Sequence, residues 1–315
     1  MAAVLTHDGP QPLVVICGPT ASGKTALALE LAQKFPVEII SADSRQVYRG
    51  MDIGTAKATR AERAAVPHHL IDVVDPDEEF TAGRFVTLSQ EAVSSIGRRG
   101  HHPLLVGGTG LYIKTLTAGL LEAPPADEAL RLRLTDLEEQ YGEGTLHARL
   151  QQVDPALAEK LSPRDRVRLV RALEVFQLTG QRLSELQARH GFADTPFRLL
   201  KIGVRAERDT LYRRIDERVH RMVAEGLVAE VEALLAKGYS SHLKSMQTIG
   251  YREIIRFLHG DFSLDEAISR IQQESRRYAK RQMTWFRRDS SIIWVDSSRE
   301  SDKIHELMEC FYVAS

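Results

Sequence analysis

The octapeptide Gly18-Pro19-Thr20-Ala21-Ser22-Gly23-Lys24-Thr25 has the spacing G-x-x-x-x-G-K-T. Residue types in that order make a cradle for phosphate. Glycines let consecutive backbone amides turn toward an anion, and a helix starting near Lys24 adds the positive end of its dipole. Lys24 supplies a mobile charge, and the Thr25 hydroxyl is placed for Mg²⁺. The pattern predicts that these eight residues hold either the phosphates of a nucleotide or another diphosphate.

A nucleotide hydrolase or kinase adds an apolar strand ending in Asp, which holds the Mg²⁺ shell. The matching run here, Leu104-Leu105-Val106, ends in Gly107-Gly108-Thr109-Gly110. Asp72 is the one comparable acid, and it reads as a turn cap. This weighs against ordinary ATP chemistry. A third chemically dense stretch, Ser41 to Lys57, offers the carboxylate of Asp43 followed directly by Ser44, Arg45 and Gln46. Taken alone it reads as a polar surface loop with a helix cap.

These groups need elements to hold them. Leu13 to Cys17 is a continuous apolar run ending at Gly18, the pattern of a buried strand. A helix follows from Thr25 and closes before Pro36. Val37 to Ser41 and Leu104 to Val106 read as further strands, and a helical pattern starts at Leu111. Strand, loop and helix in repetition predict an α/β fold: a P-loop NTPase-like parallel sheet core, with ligands at the carboxyl ends of the strands. Composition changes at Ala123-Pro124-Pro125-Ala126, after which the pattern is helical and charge-rich to about Pro196.

That stretch reads as an inserted helical subdomain. One of its helices is expected to start at Ser162-Pro163 and to stop at Gly180. Val167 and Leu169 read as helix core, with Arg164, Arg168 and Arg171 on another face. Phe197 to Val204 reads as a return strand. Long helices are expected over about 209–237 and 264–287, and Ile292 to Val295 as a last strand. The expected divisions are 11–126 for the first part of the core, 127–197 for the insert, 198–296 for the continuation and 297–315 for a tail.

The chain has 315 residues, 43% hydrophobic and 27% charged, with a formal charge of −1, which fits an ordinary globular protein. Cys17 and Cys310 form no C-x-x-C pair, which argues against structural zinc. The start MAAVLTHDGPQP does not have the form of a secretion leader, and no run is long enough for a bilayer. A cytoplasmic location is expected.

GPTASGKT, SADSRQVYRGMDIGTAK, LLVGGTGLY, RALEV and TIGYRE, in that order, resemble the tRNA dimethylallyltransferases (tRNA isopentenyltransferases) of the bacterial type. The resemblance implies transfer of a dimethylallyl group from dimethylallyl diphosphate to the exocyclic amine of an adenine. That adenine lies directly 3′ of the anticodon in tRNAs that read codons beginning with U. The implied partners are the tRNA anticodon stem-loop and dimethylallyl diphosphate, with Mg²⁺, no membrane and a monomeric enzyme.

By the same resemblance Asp43 is the general base, and Thr109 and Arg218 serve the leaving diphosphate. The implied tRNA contacts are Asp43, Ser44, Arg45 and Gln46, then Thr109 and Arg131. Val167, Arg168, Leu169, Val170 and Arg171 follow, with Gln247, Thr248, Ile249, Gly250, Tyr251 and Arg252. The helix from Arg270 to Arg288 carries seven Lys/Arg and one Glu, a basic rim on which Tyr278 interleaves while Trp285 and Phe286 are expected to pack inside.

Three rival readings stay open on residues alone, one of them a nucleotide-gated RNA-binding module, which leaves Asp43 and Thr109 unexplained. A P-loop small-molecule kinase would use the insert as a lid. An adenylate isopentenyltransferase would use free nucleotide, but has no need of an arginine-bearing insert.

Overall fold

A computed structural model describes residues 10–191 and 196–313. Most of the stretch read for a secretion leader lies outside the described residues. The elements run β1 (Gln11–Cys17), α1 (Lys24–Ala32), β2 (Val37–Ala42), α2 (Arg60–Ala65), β3 (His68–His69), α3 (Ala82–Arg98), β4 (His102–Gly107) and α4 (Gly110–Ala118). Then come α5 (Glu128–Tyr141), α6 (Thr145–Val153), α7 (Pro155–Ala158), α8 (Arg166–Thr179) and α9 (Leu183–His190). The chain returns through β5 (Phe197–Val204), α10 (Arg208–Ala224), α11 (Leu227–Ala236), α12 (Tyr251–Leu258), α13 (Leu264–Phe286), β6 (Ile292–Val295) and α14 (Ser301–Val313).

The six strands form one parallel sheet in the order β3-β2-β4-β1-β5-β6. β1 is central, and both its faces are covered, which is why its apolar run does not alternate with polar residues. Leu13, Val15 and Cys17 pack with Phe85, Ile96 and Tyr112 on one face. Val14 and Ile16 pack with Leu27, Leu31, Ile304 and Met308 on the other. All strand carboxyl ends therefore share one edge, where the segments after β1, β2, β4 and β5 meet. A third apolar cluster joins Val47, Tyr48 and Met51, just beyond β2, to Val219, Val231, Tyr251 and Ile271 of the following helices. It anchors the rim loop.

Two compact units form, Met1–Thr117 with Thr195–Ser315, and Ala118–Asp194. The second is all-helical among its described residues and has its own core, including Leu134, Leu150, Leu169 and Leu173. No helix among the described residues is long and apolar enough to cross a membrane.

Three local expectations need correction. The helix expected over 209–237 breaks after Ala224, because Gly226 takes φ 105°, a left-handed conformation that starts a new helix. The helix expected from Ser162 starts at Arg166 with Asp165 as its cap, and Ser162 instead accepts a bond from Arg164 N–H within a turn. It does stop at Gly180, at φ 70°. The stretch expected as a tail contains α14, held by buried Ile304 and Met308 against the sheet.

At the amino end of β2, away from the ligand edge, Glu38 is buried. It accepts two bonds from Arg99 (2.9 and 2.6 Å), one from His69 (2.7 Å) and one from His101 (2.8 Å). The Arg99 bonds come first among the causes that hold this carboxyl down at about 2. Its stabilisation is therefore complete above the unfolded carboxyl range and is lost as pH falls toward 2. Glu38→Ala strands the two histidines and Arg99, and is expected to cost about 3 kcal/mol in denaturant unfolding near neutral pH. The loss should shrink in acid, and an equal loss at pH 7 and about pH 3 would refute the charge-based account.

Candidate functional site

The phosphate loop is shaped by backbone conformations that few residues accept. Gly18 lies at φ 143° and Gly23 at φ 99°, and Ala21 is held at φ 61°. A side chain on Gly18 would strike the Val204 carbonyl of β5 at 2.5 Å. α1 starts at Lys24 with no side-chain cap, so its first N–H groups face the ligand edge. Lys24 donates to the Pro19 carbonyl at 2.7 Å, curled back over the loop. Ser22 is buried, and its N–H is spent on Pro19 (3.3 Å).

Two chambers open beside this loop, both within the sheet-bearing unit. The larger, about 770 Å³, is lined by Lys24, Thr25, Asp43, Gly108 and three arginines of α10, Arg214, Arg218 and Arg221. The smaller, about 320 Å³, is lined by Asp43, Ser44, Arg45, Gln247, Thr248, Ile249, Gly250, Tyr278 and Arg281. They share Thr20, Asp43, Thr55, Arg218 and Met222. One chamber is thus cationic and suited to an anion. The other gathers amide, hydroxyl and aromatic groups suited to a flat, hydrogen-bonding ring.

Asp43 stands on the common wall. Its Oδ1 accepts from the N–H of Arg45 (2.8 Å) and of Gln46 (3.3 Å), which fixes the carboxylate. The Thr109 hydroxyl accepts from Ser44 N–H (3.1 Å), so the loops after β2 and β4 are tied together. The Tyr278 phenol sits beside the same hydroxyl, and burial pushes it up to about 12. Arg218 donates to Thr20 Oγ1 (3.2 Å). Burial weighs against its charge, and Asp43 opposes that effect.

The glycines after β4 are a matter of close approach. A side chain at Gly107 would meet the Ala42 carbonyl at 2.2 Å, and one at Gly108 would meet the Gln282 amide at 2.2 Å. The acid that a nucleotide-cleaving site places after such a strand has no room here. Asp72, read as a turn cap, is instead ion-paired to Lys57 and Arg63 at 2.6 Å each.

Several predicted residues also brace other parts of the fold, Gln46 among them although it lines the cationic chamber. Gln46 spends its side-chain amide on the carbonyls of Thr55 (3.3 Å) and Ala56 (3.2 Å). Tyr251 is fully buried, and its hydroxyl donates to Glu230 at 2.5 Å. Glu230 also accepts from the N–H groups of Asp52 (2.9 Å), Ile53 (2.7 Å) and Gly54 (3.1 Å), so it holds the rim loop shared by both chambers. Sequence reasoning missed it, because nothing local marks a glutamate in an ordinary helix. Arg252 pairs with buried Glu253 (2.5 Å) and lines neither chamber.

In the helical unit, buried Glu174 takes up Arg131 (2.8 Å) and Arg171 (2.6 Å). Arg168 pairs with Asp165 and remains 70% exposed, while Arg164 pairs with Glu143 (2.8 Å). Leu169 is core, as expected, and Val170 packs at the core's margin. Val167 is 83% exposed, against the expectation of core, because the later helix start puts it on the outer face of the first turn. Phe286 is buried, as expected, but Trp285 is 41% exposed, lying over Gly110.

Among the described residues no group of three or more His, Cys, Asp or Glu could hold a metal. Exposed Thr25 lines the cationic chamber. That fits a cation which takes one protein oxygen and completes its shell from phosphate and water, as Mg²⁺ does.

Burial, then the charge of Arg218, pushes Lys24 down to about 8, and Asp43 pulls it partly back. An anion in the chamber restores the proton. Pyrophosphate affinity is therefore expected to fall as pH rises above about 8, with proton uptake on binding. Calorimetry in buffers of different ionisation heat near pH 9 reads this, and buffer-independent heats there would exclude Lys24 as the source.

The family model described as IPP transferase matches residues 46–289, and that described as Isopentenyl transferase matches 11–72. A curated relative from Syntrophotalea carbinolica, tRNA dimethylallyltransferase 1, is 55% identical over 309 residues, covering 98% of each chain. The solved tRNA isopentenylpyrophosphate transferase of Bacillus halodurans is 42% identical, with TM-score 0.68, over 96% of this chain and 95% of that one. A eukaryotic dimethylallyltransferase, described as acting on tRNA, matches with TM-score 0.79 at 31% identity, over 92% of this chain and 75% of its own.

Proposed function

The chain belongs to the IPP transferase family of tRNA dimethylallyltransferases, and on that premise we propose how its two chambers divide the work of prenylating tRNA. Prenyl transfer to tRNA is its activity; the kinase and free-nucleotide readings have no support from its relatives. The donor is dimethylallyl diphosphate, with its diphosphate in the cationic chamber. The acceptor is the exocyclic amine of the adenine directly 3′ of the anticodon, seated in the smaller chamber. The observation that carries this reading is the position of Asp43 on the wall common to both.

An adenine in a stack cannot reach such a wall, so the base leaves the stack and enters the smaller chamber. The allylic carbon–oxygen bond breaks as the amine nitrogen bonds to that carbon. Negative charge grows on the departing diphosphate, and groups aimed there lower the barrier most. Lys24, Arg218 and the loop amides are those groups. Thr25 is the residue that would hold Mg²⁺, which supplies further charge neutralisation when bound. The amine proton passes to Asp43 Oδ2, giving isopentenyladenosine and diphosphate. The enzyme works as a monomer, and in the cytoplasm, where its tRNA is found.

Transfer of label from dimethylallyl diphosphate to unmodified tRNA, with free AMP offered in parallel, tests the reading. Label on AMP alone would defeat it. Asp43→Asn keeps an acceptor for the Arg45 and Gln46 amides but not the proton acceptor. It should lower single-turnover transfer about 10²- to 10⁴-fold with tRNA binding unchanged. A full single-turnover rate would remove Asp43 as base. Arg168→Ala should weaken tRNA binding and reduce the salt slope by about one; an unchanged slope takes Arg168 off the contact surface.

A further inference from the structure

We infer that Gln282 is a positioning residue for the donor: its buried side-chain amide sets the gap between the phosphate loop and the Gly107–Gly110 loop. This rests on the assignment of the diphosphate to the cationic chamber. Gln282 lies on α13, a helix rich in arginine, yet is only 6% exposed. Its Oε1 accepts from Thr20 N–H at 2.8 Å, and its Nε2 donates to the Gly108 carbonyl at 2.9 Å. One planar group thus spans two loops that are distant in sequence from it and from each other.

Only an amide fits both ends. A carboxylate lacks the donor for Gly108, an ammonium lacks the acceptor for Thr20, and an apolar chain would leave both backbone groups unsatisfied. The missing side chain at Gly108 belongs to the same device, since a Cβ there would overlap Nε2.

The bridge also acts at one remove. Thr20, fixed through its N–H, accepts the Arg218 guanidinium on its hydroxyl. One helical turn before Gln282, Tyr278 sits beside the Thr109 hydroxyl. A single face of α13 therefore sets Thr20, Gly108 and Thr109 together, and through Thr20 it sets Arg218. A small opening of that gap moves Thr109 away from the phosphate loop and shifts Thr20, and with it the Arg218 guanidinium that Thr20 accepts. Misplacements of about 1 Å are enough to cost large factors in such chemistry.

The test uses the full-length enzyme with Mg²⁺, unmodified tRNA and dimethylallyl diphosphate. Gln282→Met keeps length and bulk but removes both bonds. Gln282→Glu keeps the acceptor for Thr20 and sets a carboxylate oxygen against the Gly108 carbonyl. Both are expected to raise KM for dimethylallyl diphosphate, and Kd for pyrophosphate with Mg²⁺, at least about tenfold. Their Kd for tRNA should stay within about twofold. If the Met variant does not fold, the Glu variant decides. Lowered melting temperature with unchanged donor KM and pyrophosphate Kd would make Gln282 a packing residue and overturn the inference. Equal losses toward donor and tRNA would also overturn it. Wild-type enzyme that moves no label from dimethylallyl diphosphate would instead refute the donor assignment, a result the wild-type control reads separately.

Discussion

A diphosphate leaving a carbon atom, as the proposed reaction requires, gathers more negative charge than any one side chain can balance, and meeting that charge is the constraint to which the proposed reading ties the rest of the structure. The cations and amides that answer it come from distant segments: the turn after β1, the start of α1 and one face of α10. Brought together without an anion, they oppose each other. The cost is visible in Lys24, pushed down by burial and by Arg218. Asp43 offsets part of that repulsion while keeping an oxygen available, so the same carboxylate serves both the charge balance and the proposed proton transfer.

The parallel sheet is what makes this convergence possible. Because every strand runs the same way, all the loops that follow them open on one edge. The loop after β2 then needs support of its own, since it reaches past the sheet. Glu230 supplies it by accepting three consecutive backbone amides and the Tyr251 hydroxyl. The apolar cluster of Val47, Met51, Val231 and Tyr251 holds the same loop from beneath. Tyr251, which looks like a ligand contact in the sequence, is a brace for residues that face the chambers, while Gln46 both lines the cationic chamber and ties its amide to Thr55 and Ala56.

The helical unit uses buried charge in a similar way. Glu174 binds Arg131 and Arg171 at once, although the three residues lie on two helices. Such a pair is weak evidence of stability, because desolvation offsets attraction. It does fix where two guanidinium groups stand, while Arg168, paired with Asp165, stays 70% exposed.

How much could be read in advance depended on the range of the forces involved. The phosphate loop, the strands at Phe197–Val204 and Ile292–Val295 and the stop at Gly180 were legible in the sequence. Each is set by neighbours a few residues away: glycine conformation, an apolar run, a left-handed cap. The break at Gly226 was not, because a glycine in a helical pattern is either tolerated or not according to what the next helix packs on. The burial of Tyr251, the exposure of Val167 and the packing of α14 are likewise decided by surfaces from elsewhere in the chain. Gln282 is the extreme case. On its own it is one polar residue in a basic helix, and its meaning comes only when folding sets it between a Thr20 amide and a Gly108 carbonyl. Sequence by itself determined which chemistry the chain carries, since that resides in residue types at short spacing. Tertiary structure decided which side chains touch the chemistry and which hold others in place, since long-range contacts leave no local period to read.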